Sequence, residues 1–150
     1  MVTNQDETVI DGLANYVELS RDKRDAQLGS AIYKSVAGVF CSNITPGSSC
    51  SLAFPSMIIR PDIRTECFVA VLDSSVIVAW TKGLIRKTPQ SAVLPRKQIK
   101  SADIEPYGSG ATVLKITAGD QTVTIAMPNG RSDIGNAITQ AILPASPASA

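Results

Sequence analysis

The chain has 150 residues, a formal net charge of +1, 44% hydrophobic and 18% charged residues, and no histidine. A chain of this length suits one compact domain burying roughly 68–70% of its extended surface. The absence of histidine removes the commonest general base and zinc ligand, so Ser-His-Asp and Cys-His catalysis are excluded within the chain. The resulting expectation is a non-enzymatic protein with no cofactor and no metal.

Cys41, Cys50 and Cys67 match no zinc or redox spacing, and three packed thiols in a reducing compartment is the reading they favour. The first eleven residues are acidic where a secretory signal is basic, and apolar runs such as 76–80 are far shorter than a membrane span. These features predict a cytoplasmic protein, with peripheral membrane attachment as the variant.

Two apolar stripes at helical spacing open the chain: Val9, Ile10, Leu13, Tyr16 and Val17, then Leu28, Ala31, Ile32, Ser35, Val36 and Val39. Ser20 before Asp22-Lys23-Arg24-Asp25 is an N-cap or a turn within one long helix, and two helices are favoured. Residues 42–56 are rich in Ser, Pro, Gly and small side chains and read as a connecting loop.

After Arg60-Pro61 the period changes. Residues 66–72 and 76–81 are Val/Ile-rich runs separated by Asp73-Ser74-Ser75, as in a β-hairpin. Lys82-Gly83 turns into 84–87, and residues 97–104 form a strand with an irregular edge near Pro95. Residues 112–117 and 122–127 form a second hairpin around Gly119-Asp120. A helix follows, capped by Asn129 or Ser132, with Ile134, Ala137, Ile138, Ala141 and Ile142 on one face and Pro144 stopping it. The Pro/Ala/Ser tail, 144–150, is expected to be disordered.

Short antiparallel strands followed by one amphipathic helix predict an α+β fold, a small antiparallel β barrel or sandwich capped by a C-terminal helix. Over residues 66–143 the sequence resembles the bacterial pleckstrin-homology-like domains, the YokE-like group among them. The likeness lies in Cys67–Asp73, Val76–Gly83, Leu94–Ile104, Leu114-Lys115-Ile116 with the Gly119 turn, and the helix over 131–143. The expected organisation is a helical extension and loop over 1–60, a PH-like β domain over 61–143 and the tail.

Charge is unevenly placed. Residues 74–102 hold Lys82, Arg86, Lys87, Arg96, Lys97 and Lys100 without a carboxylate, whereas residues 1–25 hold six carboxylates against Arg21, Lys23 and Arg24. The resemblance implies a non-enzymatic interaction module for a protein partner or a homo-oligomer. The alternative it implies is an anionic lipid or phosphorylated ligand held by those six cations. On strands, Arg86 and Lys87 diverge, as do Arg96 and Lys97, and the solvated-face reading competes with a patch. The acidic helical start can instead lie over the basic strands, with apolar burial supplying most of the docking energy.

Trp80, Phe40, Phe54 and Phe68 read as core. Gly108-Ser109-Gly110 reads as a turn, not a phosphate loop. Asp103 and Glu105 share a strand face without a third ligand, and Arg64 is the cation nearest Cys67 in sequence. Near-neutral charge and 5% aromatic content argue against nucleic acid.

Overall fold

The computed structural model describes residues 4–60, 65–83, 88–108, 111–127 and 132–143. Two helices, α1 (Asn4–Ser20) and α2 (Arg24–Asn43), precede strands β1 (Cys50–Arg60), β2 (Thr65–Leu72), β3 (Ser75–Lys82) and β4 (Thr88–Pro95). A 3₁₀ turn (Arg96–Gln98) leads into β5 (Ile99–Tyr107), β6 (Ala111–Ala118) and β7 (Gln121–Ala126), and α3 (Ser132–Ile142) follows. The expected tail, Asn129 and Arg64 lie outside the described residues.

All seven strands form one antiparallel sheet in the order β4-β3-β2-β1-β7-β6-β5. β1 pairs with β2 along most of its length but with β7 only near Ile58 and Arg60, and its register shifts at both ends. Such irregularities bend a strand and raise its twist, which is how the sheet curls around an interior. An antiparallel sheet curling around an interior, followed by a C-terminal helix, is the expected α+β arrangement.

The interior is lined by alternate residues of both halves of the sheet: Phe54 and Ile58 of β1, Val69 and Val71 of β2, Val78 and Trp80 of β3, Leu114 and Ile116 of β6. Ile134, Ile138 and Ile142, all fully buried, insert α3 into this space. Phe68, Ala70 and Leu72 of β2 and Ile77 and Ala79 of β3 point the other way, into a second core beneath α1 and α2. These central strands are buried on both faces, so their sequences read as continuous apolar runs rather than as alternation.

Two helices form, as favoured, but the turn between them differs in detail. Ser20 ends α1 instead of capping α2. Its hydroxyl donates to Asp25 Oδ2 (2.8 Å) and accepts from the Asp22 amide (3.3 Å). Arg21 adopts φ 59° and its amide donates to the Val17 carbonyl at 2.8 Å, a helix-ending geometry usually given to glycine. Asp22 accepts the Arg24 amide and pairs with its guanidinium (2.9 Å), which lowers the Asp22 pKa and raises that of Arg24 at the surface.

Three expectations are corrected. Residues 42–56 are not all loop, and the sheet begins before residue 61, because β1 starts at Cys50. Its small residues serve the close crossing of α1, where Gly12 faces Cys50 and Ala53. The apolar face of α2 is rotated: Tyr33 and Phe40 are buried and Leu28 is exposed, since these two rings stack around Phe68 with centroids 5.3–5.6 Å apart. Residues 96–98 form the 3₁₀ turn instead of opening a strand, and β4, which the sequence does not announce, precedes it.

Candidate functional site

The described basic residues divide between the two ends of the β3–β4 hairpin. Lys82 closes β3 opposite Thr88, whereas Arg96 follows the other end, where Ser75 pairs with Pro95 and the Arg96 amide donates to the Ser74 carbonyl. The eight residues of β3 separate those ends by roughly 23 Å. Lys97 sits beside Arg96 and Lys100 lies just inside β5, both exposed. Arg86 and Lys87 lie outside the described residues. The Arg96 guanidinium is occupied: Nη1 donates to the Leu72 carbonyl and Nη2 to the Leu143 carbonyl, each at 3.0 Å, tying the end of β2 to the end of α3.

α1 and α2 dock through Val9, Leu13, Ile32, Val36 and the aromatic group around Phe68, so apolar contact holds this layer. Among the described residues no group of three or more His, Cys, Asp or Glu side chains is arranged to hold a metal ion. Asp103 is exposed on β5 opposite Lys115. Trp80 and the three phenylalanines are core, as expected. All three cysteines are free thiols. Burial pushes Cys50 up to about 12 and Cys67 upward as well, so neither presents a thiolate.

Two surfaces concentrate the exposed apolar groups. The first joins α2 to the sheet: Leu28, 47% exposed, and Met57, 38% exposed, flank a depression of about 260 Å³ with Pro55 and Met127 in its wall. A second depression of about 360 Å³ adjoins it through Leu28, Ile32 and the exposed carboxylate of Glu66. Sequence reasoning missed this face because it assigned Leu28 to a core stripe and Met57 fell beside an expected loop.

The second is a groove of about 380 Å³ between α1 and α2, with Val9, Leu13 and Ala37 in its walls and Phe68 beneath. At its polar end Asp6 Oδ1 accepts the Tyr33 hydroxyl (2.6 Å) and the Cys41 thiol (3.5 Å). Burial first, then the Asp6 carboxylate, pushes the Tyr33 pKa upward, so the phenol remains a donor.

The sheet edges are less receptive. β4 carries Pro89 and Pro95, and β5 carries Lys100, Asp103 and Pro106, residues that obstruct strand addition.

No helix among the described residues is long and apolar enough to cross a membrane. No protein-family model matches the chain, and no curated protein matches it. Among solved structures, the chain is similar in fold to a crystallised pleckstrin homology domain from Shewanella amazonensis SB2B, at 16% identity and a TM-score of 0.48, over 70% of this chain and 91% of that one.

Proposed function

We propose that the chain is a non-enzymatic interaction module that recognises a protein partner through the Leu28–Met57 face. The observation that carries this reading is the pairing of two exposed large apolar side chains across one depression. A partner that inserts an apolar side chain between them and sets a cation against Glu66 satisfies its shape and charge. The alternative of anionic-ligand binding by the six basic residues draws less support, since Lys82 lies at the opposite end of the hairpin from Arg96, Lys97 and Lys100, and Arg96 is bound to two carbonyls.

The test is photo-cross-linking of the full chain in the cells that produce it. A photoreactive residue at position 28 is expected to trap a discrete protein, with the yield lost on Met57→Glu. The same residue at exposed position 120, in the β6–β7 turn, is expected to trap none. A product containing two copies of this chain would replace the heterologous partner with self-association, and equal trapping from 28 and 120 would refute the face.

A further inference from the structure

The α1–α2 groove shares no lining residue with the Leu28–Met57 face and has a different chemistry. Its lining runs along α1 from Asp6 to Leu13, eight residues and therefore about 10 Å of helix, which a chain of about eight carbons spans with its head group included. Its volume of about 380 Å³ is near the lower end of the range of roughly 300–1,000 Å³ for small-molecule pockets, which suits one chain and not the two of a phospholipid. The groove is open at Ile10, 49% exposed.

Two charged groups stand along it. Asp6 is engaged by the Tyr33 hydroxyl and the Cys41 thiol. The ammonium of Lys34 is exposed and has no hydrogen-bond or ion-pair partner among the described residues. Asp6 keeps its negative charge beneath two neutral donors, so the charged group along the groove without a partner among the described residues is the exposed Lys34 ammonium, over an aromatic floor and between aliphatic walls.

We infer that this groove binds a single-chain carboxylate amphiphile, with the hydrocarbon lying between α1 and α2 over Phe68 and the carboxylate at Lys34. The aliphatic walls recognise length and Lys34 recognises the sign of the head group. Tyr33, held by Asp6, closes the polar end against the tail.

Calorimetric titration of the full chain with hexanoate, octanoate, octanol and octylamine tests the assignment. Octanoate is expected to bind, with affinity rising up to about fourfold per added methylene until the groove is filled. Lys34→Ala should weaken octanoate about two- to fivefold and leave octanol unchanged. Ala37→Trp, which fills the groove, should abolish binding with the far-ultraviolet circular dichroism unchanged. Ile10→Glu, at an exposed position, provides the same loss of binding if the tryptophan variant does not fold. Octylamine binding as tightly as octanoate would overturn the assignment, because Asp6 would then be reading a cation. Binding of phosphatidylglycerol vesicles without free octanoate, or no binding of any of the four compounds, would also overturn it.

Discussion

Gly12 is the position where one methyl group tests the packing of the helical layer on the sheet. A Cβ placed there would lie 2.3 Å from Cys50 Sγ and 3.2 Å from both the amide nitrogen and the Cβ of Ala53. The thiol has little room to retreat, because Cys50 is 7% exposed and its Sγ donates to the Leu52 carbonyl at 3.1 Å. Replacing a helix-interior glycine with alanine gains about 1 kcal/mol of intrinsic propensity. Overpacking a rigid contact costs about 1–3 kcal/mol, and here the upper end applies because backbone stands behind the sulfur. Gly12→Ala is therefore expected to lose about 1–2 kcal/mol, lowering Tm by about 2–8 °C in a chain of this size. Cys50→Ala removes the closest atom, so the double variant should be more stable than the sum of the two single effects by about 1 kcal/mol or more. Urea unfolding of the four proteins measures this through the midpoint at constant m. If Gly12→Ala stabilises the chain, or the two substitutions are additive, α1 does not approach β1 as closely as described.

Arg96→Ala should cost about 1–2 kcal/mol through two half-exposed hydrogen bonds from a charged donor and a cation at a helix C-terminus, with hydrogen exchange accelerated in the last turn of α3. Arg96→Lys should recover only part of this, since an ammonium does not bridge two carbonyls as a guanidinium does. Arg21→Gly should stabilise by about 1 kcal/mol by relieving the left-handed backbone at φ 59°, read by thermal unfolding. Stability should also fall at alkaline pH. The folded chain keeps Cys50 protonated up to about 12 while the unfolded thiol ionises near its ordinary 9.0, so its contribution is complete below 9 and declines across that window. The slope is about 1.4 kcal/mol per pH unit for each such group, Cys67 and Tyr33 acting in the same direction, and a flat urea midpoint across the window would contradict their burial.

The parts of the fold that were legible from sequence are those whose packing dictates a pattern. β2 and β3 are buried on both faces, so Cys67–Leu72 and Val76–Trp80 are unbroken apolar runs, and α3 places Ile134, Ile138 and Ile142 at helical spacing. β4 was illegible because an edge strand needs only Ala92 and Leu94 inside and tolerates Pro89 and Pro95. β1 was illegible because the demand for small side chains under α1 imitates a loop composition. α2 was read about one residue out of phase because counting aliphatic positions ignored Tyr33 and Phe40, which dominate the area it buries. Charge gave the six basic residues but no direction, and direction depends on register: β3 places Lys82 at the end of the hairpin opposite Arg96. The Leu28–Met57 face was hidden for a related reason, since exposure of an apolar residue is a tertiary fact.

The helical layer also explains why both proposed surfaces sit where they do. Removing α1 and α2 would uncover Phe68, Ala70, Leu72, Ile77 and Ala79 on the outer face of the central strands, so these helices complete a core. A layer anchored in this way offers rigid walls to a ligand, because moving either helix disturbs packing shared with the sheet. Gly29 brings α2 against Leu13, where an added Cβ would lie 2.8 Å from Leu13 Cδ1. Towards the other end, the Asp6–Tyr33 hydrogen bond joins the helices again. Between these two closures Phe68 lies beneath, and the groove is the gap that remains. Ile10 is left exposed at the rim of that gap, above a floor formed by Phe68, so the helical stripe that Val9 and Leu13 bury leaves its neighbour to solvent.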